Sequence, residues 1–177
     1  MNLYEFTLKF SLPDEPMDAD DYLMHLSQSG CDDALIGMGV NGRIALAFSR
    51  EAKSAIAAIS SAIDDVRAAI PGAKLTEAGP DFVGLSDVAE LLGFSRQNMR
   101  KLMLANRATF PPPVHDGNAS IWHLTHIIDW FETYKTYNIE PALIDVADLA
   151  LQINAIRDRK YIRADIRDRF KAFIDAG

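Results

Sequence analysis

Alternation of apolar and polar residues predicts that the chain begins with a β-strand. The apolar side chains of its first ten residues stand at every second position: Tyr4, Phe6, Leu8 and Phe10. A period of two places such residues on one face of a half-buried strand. Apolar residues in 18–29 follow helical spacing instead, and Gly30 is a typical residue after the end of a helix.

The pattern up to residue 78 predicts four more elements. Two strand-like runs, 34–40 and 43–49, flank Asn41-Gly42, a dipeptide that favours a tight hairpin turn. A helix is expected over about 51–70, followed by a short strand at 73–77. The apolar stripe of this helix comprises Ile56, Ile59, Ile63, Val66 and Ile70. The resulting order, β-α-β-β-α-β, predicts a ferredoxin-like domain in residues 1–78.

Residues 78–81, Ala-Gly-Pro-Asp, are expected to form a linker to a second unit at 82–137. This unit begins with two short helices joined by a turn at Gly93. Ser86 and Ser95 are the predicted N-caps of the two helices. Long polar and basic side chains bunch at the start of the second helix, as in a helix-turn-helix whose second helix reads DNA.

The C-terminal segment, 141–177, has apolar residues at helical spacing and alternating Arg and Asp. Two interpretations remain open for its helices. They can pair with those of a second subunit, or pack back on their own chain. The fold class expected for the whole chain is α+β, with a ferredoxin-like domain, a winged helix-turn-helix and C-terminal helices.

Charge is distributed unevenly along the 177 residues, whose formal net charge is −7. The acidic excess lies wholly in residues 1–81, so the predicted DNA-reading helix is not part of it. The composition is that of a soluble globular protein, and no run of residues is apolar enough for a membrane span. The first ten residues lack the apolar run of a signal peptide, and the single cysteine excludes an internal disulfide. A cytoplasmic protein is expected.

The stretch after the second helix carries a set of motifs that resembles the winged helix-turn-helix of the MerR superfamily, especially its small AlpA and excisionase-like branch. The helix pair ends near Asn106-Arg107, and Phe110-Pro111 and Pro113 follow. A short hairpin around 116–118 then leads to Trp122 and to a further helix with Ile128 and Trp130. The resemblance covers about 55 residues, within 82–137.

The resemblance implies that the second helix enters the major groove of double-stranded DNA, and that the wing touches the backbone or the minor groove. The residues of this chain that it implicates in DNA binding are Arg96, Gln97, Asn98, Arg100, Lys101, Arg107, His115, Asn118 and His123. Within this set, the resemblance makes His123 a phosphate contact. The wing departs from the family pattern because it is poor in Arg and Lys.

Other chemistry is not expected. His115, His123 and His126 are close in the sequence but lack cysteine or carboxylate neighbours at a metal-binding spacing, so neither a metal nor another cofactor is anticipated. Cys31 lies beside Asp32 and Asp33, which disfavour a reactive thiolate. No catalytic arrangement is recognisable, and the protein is not expected to be an enzyme.

The sequence therefore predicts a sequence-specific DNA-binding transcriptional regulator. A single small module makes few phosphate contacts, so a homodimer is expected. The acidic N-terminal domain is repelled by DNA and is expected to bind a small-molecule effector or a protein partner. The alternative is an antitoxin-type or adaptor protein that acts mainly through protein–protein interaction.

Overall fold

Four strands form the larger of two sheets in the computed structural model, which describes residues 1–13, 19–38, 42–135 and 137–174. The strands are β1 (Asn2–Ser11), β2 (Ala34–Gly37), β3 (Arg43–Ala52) and β4 (Lys74–Gly79). All neighbours are antiparallel, in the order β2-β3-β1-β4. The protein is thus a mixed α/β protein with antiparallel sheets.

Helices α1 (Ala19–Gln28) and α2 (Ala55–Ala69) bury their apolar sides in the same core as one face of this sheet. The predicted inward positions of β1 are all buried. Most of the stripe predicted for this helix lies inward: Ile70 is buried and Ile63 packs partly against the core. Ala55, Ala58 and Ala62 are buried with Ile59 and Val66, whereas Ile56 is exposed, against the prediction.

The boundary between β3 and α2 also differs from the sequence prediction, which began the helix at residue 51. β3 continues to Ala52 because its alternation stays in register with β1, where Asn2 pairs with Ala52. The helix begins only after Ser54, whose hydroxyl accepts a hydrogen bond from the backbone N–H of Ala57 at 3.2 Å. The predicted helix start at Asp18, the strand end at Val40 and Asn41 of the hairpin turn lie outside the described residues.

The second core lies among seven elements. They are β5 (Phe82–Val83), α3 (Leu85–Leu91), α4 (Arg96–Ala105), β6 (His115–Asp116), β7 (Ser120–His123), α5 (Leu124–Tyr134) and part of α6 (Pro141–Asp158). Of these elements only β6 contributes no buried residue. β7 lies between β5 and β6, antiparallel to both. This arrangement presents the loop between β6 and β7 as a short hairpin beside the helix pair.

Helix α6 joins the two cores. Val146 and Ala150 are buried with the larger sheet, while Ala147 is buried with α5 in the second core. The helix therefore packs on its own chain, which is one of the two interpretations left open by the sequence. A 3₁₀ turn at Arg159–Tyr161 follows, and then α7 (Ala164–Ile174), which has no buried residue.

The segment expected to be a linker is buried instead. Ala78 and Gly79 belong to β4, and Asp81 is only 2% exposed. Asn154 of α6 accepts a hydrogen bond from the N–H of Ala78 and donates to its carbonyl oxygen and to Asp81. These contacts hold the connection between the two sheets in place, so it does not behave as a free tether.

Candidate nucleic-acid interface

Helix α3 begins two residues earlier than the sequence indicated. Its N-cap is Gly84 and not the predicted Ser86, which lies inside the first turn. The carboxylate of Asp87 accepts a hydrogen bond from the Gly84 N–H at 2.7 Å, and this bond holds the helix start. An acidic side chain at the third helical position stabilises the positive end of a helix in the same way as a cap.

The turn between α3 and α4 is fixed by Gly93 and by aromatic packing. Gly93 has φ +70°, a left-handed conformation that glycine adopts without steric cost. The ring of Phe94 packs against those of Phe131 and Tyr137, and the Tyr137 hydroxyl donates a hydrogen bond to the carbonyl oxygen of Leu92. Residues from α5 and beyond thereby set the geometry of the helix pair.

Helix α4 is capped by Ser95, as predicted: its hydroxyl accepts a hydrogen bond from the Asn98 N–H at 3.2 Å. Met99 is fully buried, and Leu102 and Met103 pack partly against the second core. Because this side of α4 packs on the core, the rest of the surface of its N-terminal turns is exposed to solvent. The exposed side chains are Arg96, Gln97, Asn98, Arg100 and Lys101.

Positive charge dominates this part of the surface. Residues 91–115 contain four cationic side chains, those of Arg96, Arg100, Lys101 and Arg107, and no Asp or Glu. All four side chains are exposed, and none of them forms an ion pair within the described residues. Some arginines elsewhere behave differently: Arg50 and Arg157, for example, are bound to aspartates. The local field is therefore positive although the chain as a whole is acidic.

Two indole N–H groups anchor the connection from α4 to the wing. Trp122 donates to the carbonyl oxygen of Pro111 at 3.0 Å, and Trp130 donates to the hydroxyl of Thr109 at 3.2 Å. Phe110 is buried edge-on between the two tryptophans. Both tryptophans belong to the motif in the sequence, but their hydrogen-bonding partners are visible only in the structure.

The C-terminal end of α4 is tied to α5 by a contact that the sequence did not reveal. Lys135 donates a 3.0 Å hydrogen bond to the side-chain oxygen of Asn106, the C-cap residue of α4. Its ammonium group also lies 5.3 Å from the ring centre of Trp130. The lysine holds α4 in place and does not join the exposed basic face.

The wing carries two of the implicated residues, His115 and Asn118, and both are exposed. Between residues 112 and 123 the sequence has no Arg or Lys, and Asp116 accepts a hydrogen bond from the Ser120 hydroxyl at 2.7 Å. Any contact of the wing with a polyanion thus depends on neutral or histidine donors.

His123 is partly buried, whereas the other implicated residues are exposed. Its Nδ1 lies 2.5 Å from Oδ1 of Asp81, whose side chain is almost completely buried. The imidazole also packs against Phe82 and His126. These contacts hold the imidazole at the junction between the two sheets, where Asp81 also binds Asn154.

The structure adds two general findings. No group of three or more His, Cys, Asp or Glu side chains within the described residues is arranged to hold a metal ion. No helix in the described part of the chain is both long and apolar enough to cross a membrane.

Comparison of the chain with protein-family models, with curated proteins and with solved structures gave no match.

Proposed function

We propose that this protein is a sequence-specific regulator that binds double-stranded DNA through α4, in the cytoplasm and without catalytic activity. One observation carries the proposal: Met99 packs α4 on the core, Ser95 caps it, and its exposed cationic and amide side chains have no partner among the described residues. A helix held rigidly in this way reaches base edges without first having to order itself.

The chemistry of the exposed face fits the major groove. Arg96 and Arg100 are one turn apart, and an arginine fork pairs with the O6 and N7 atoms of guanine. The amide of Gln97 or Asn98 is suited to adenine, and each good bidentate pair supplies about 1–3 kcal/mol of discrimination between bases. Lys101 and Arg107 offer positive charge for phosphates, which position a protein without reading sequence.

The fold proposed for this function has two modules. For residues 82–137 we propose a MerR-like winged helix-turn-helix, supported by the α3–α4 pair, the β6–β7 hairpin and the two anchoring tryptophans. For the N-terminal part we propose a ferredoxin-like domain, supported by the strand order β2-β3-β1-β4 with both helices in one core. Strong acidity turns this domain away from DNA and suits it to a protein partner or an effector.

A second candidate is the adaptor or antitoxin-type protein, in which partner binding is the main activity. The neutral wing favours it, because a wing without Arg or Lys contributes little to phosphate binding. This function requires the acidic N-terminal domain and does not require the α4 face.

Selection of genomic DNA fragments by the purified protein tests the proposal. We expect enrichment of a common site whose affinity falls as salt rises, because bound phosphates release counterions. Enrichment of two half-sites at a fixed spacing would support a homodimer on DNA. If all fragments are retained equally, or none is retained at low salt, α4 does not read DNA and the adaptor function takes its place.

A further inference from the structure

An acidic groove lies on the open face of the larger sheet. It has a volume of about 1010 Å³, with a floor from the outward-facing residues of β1, β2 and β3, and walls from α3 and the start of α6. The volume reaches the upper end of the roughly 300–1,000 Å³ range of small-molecule pockets, so the groove has room for a peptide segment.

The charge of the groove is almost entirely negative. Eight of its lining residues are Asp or Glu, while Lys9 is the single Lys or Arg and is itself paired with Glu77. Five of the acids form no ion pair among the described residues: Glu5, Asp32, Asp87, Glu90 and Glu140. Such a surface attracts a cationic partner and repels nucleic acid.

Exposed apolar side chains accompany these acids. Leu35, on the edge strand β2, is 81% exposed, and Phe82 and Leu91 line the opposite wall with partly exposed side chains. Apolar groups beside unpaired carboxylates suit a ligand that is both apolar and basic.

Helix α7 has the complementary surface. Its exposed apolar residues, Ile166, Phe170, Phe173 and Ile174, stand at positions i, i+4, i+7 and i+8, which place them on one face of the helix. Phe173 is 78% exposed. Arg167 and Arg169 flank this face, and residues 157–174 contain seven basic and three acidic side chains. An amphipathic helix of this kind docks in a groove through such regularly spaced apolar anchors.

We propose that α7 of one subunit docks in the acidic groove of a second copy, and that the exchange is reciprocal. No α7 residue lines the groove of its own chain, so both surfaces stay open within the part of the chain that the structure describes. Reciprocal docking closes a two-fold dimer and uses both pairs of surfaces. Two such sites double the buried area, toward the roughly 1,600 Å² of a standard interface. The proposal gives the homodimer its contacts without involving DNA, so either hypothesis can fail while the other stands.

Charge reversal in two complementary variants tests the proposal in the absence of DNA. The first variant, Arg167→Glu with Arg169→Glu, makes α7 acidic. The second, Glu5→Lys with Glu90→Lys, makes the groove basic. All four side chains are exposed, so each variant should fold and give a circular dichroism spectrum like that of the wild type. Sedimentation velocity then measures whether the particle has once or twice the 19.6 kDa mass of one chain.

We expect a dimer for the wild type and at least about tenfold weaker self-association for each variant alone, because like charges then meet in the groove. An equimolar mixture of the two variants should regain the dimer, since each helix again meets a groove of opposite charge. Asp64→Lys with Glu132→Lys, the same charge change on exposed residues outside the groove, should leave dimerisation intact.

Three results would overturn the proposal. The wild type could be monomeric at every concentration, the single variants could remain dimeric, or their mixture could fail to associate. The mixture could fail to associate while a single chain with all four changes regains the thermal stability of the wild type. That combination would show that α7 contacts the groove of its own chain. Binding of a monomeric wild type to vesicles of anionic phospholipid, lost in the Arg167→Glu, Arg169→Glu variant, would identify a membrane surface as the occupant of α7.

Discussion

Asn154 donates a 2.7 Å hydrogen bond to Oδ2 of Asp81, and both side chains are buried. The same amide is paired with both backbone groups of Ala78, while the other carboxylate oxygen of Asp81 faces His123. One asparagine thus satisfies three polar groups at the junction of β4, β7 and α6. The relative position of the two sheets, and with it that of α4 and the acidic groove, depends on this contact.

Replacing Asn154 with alanine should destabilise the protein by about 2–4 kcal/mol, because it leaves buried backbone groups and a carboxylate without their partner. Urea denaturation followed by tryptophan fluorescence measures the loss. Gln152→Ala is the matched control, since Gln152 is exposed on the same helix and makes one long hydrogen bond to Asp148. Equal stabilities of the two variants would contradict the structural role given to Asn154.

Arg50 should be a second residue whose substitution strongly lowers the free energy of unfolding. It is 9% exposed and binds Asp33, Asp65, Ser61 and the carbonyl oxygen of Gly30. The hydrogen bonds that Arg50 donates to Asp33 and to Asp65 raise the pKa of Arg50 above its ordinary value, so the group stays charged.

Arg50→Met should lower the free energy of unfolding by about 2–4 kcal/mol, because two partly buried carboxylates lose their counter-charge. Arg50→Lys should recover only part of the loss, since an ammonium group cannot reproduce the planar fork. Arg43→Met, on the same strand but exposed, is the control for loss of one positive charge. If Arg43→Met lost as much free energy of unfolding as Arg50→Met, the change in net charge, and not the loss of the Arg50 contacts, would explain the result.

Arg96→Ala and Arg100→Ala should each weaken specific DNA binding by about 1–3 kcal/mol and relax the preference at one base position. Mobility-shift titrations at several salt concentrations against the selected site provide the measurement. Arg67→Ala, an exposed cation on α2, should bind like the wild type. If either α4 variant matched the wild type across the salt series, that arginine would not contact a base.

The Cys31 thiol should be unreactive in the folded protein. Burial, followed by the negative charge of Asp65, raises its pKa from 9.0 to about 11. Alkylation by a maleimide at pH 8 should therefore be slow and should become fast in urea, since the thiolate is the reactive form. Rapid labelling of the native protein would show that the site opens easily.

The same shift has a consequence for stability, because the raised pKa means that the folded state holds the thiol proton more tightly than the unfolded state. The contribution of Cys31 to stability is full below pH 9 and is lost as pH rises towards about 11. Urea denaturation between these values should show a decline that is smaller in Cys31→Ala. An identical decline in stability in the wild type and in Cys31→Ala would show that other groups cause the decline.

Features that depend on neighbours in the chain followed directly from the sequence. The alternation in β1, the turn at Gly93 and the Ser95 cap each require only a few adjacent residues. The exposure of the α4 basic residues follows from the helical spacing of polar and apolar residues. The role of these basic residues in DNA binding stays a prediction.

Only the tertiary structure determined the conformation and burial of segments whose local sequence favoured two structures or none in particular. Residues 51 and 52 suit a helix locally, but pairing with β1 keeps them in β3. Asp81 in an Ala-Gly-Pro-Asp segment is typical of a loop. It becomes buried because its partners, His123 and Asn154, are 42 and 73 positions away in the sequence. The acidic groove likewise combines strands, α3 and α6. Local pattern determines which backbone conformation is favoured, whereas burial and charge pairing depend on which distant segments the fold brings together.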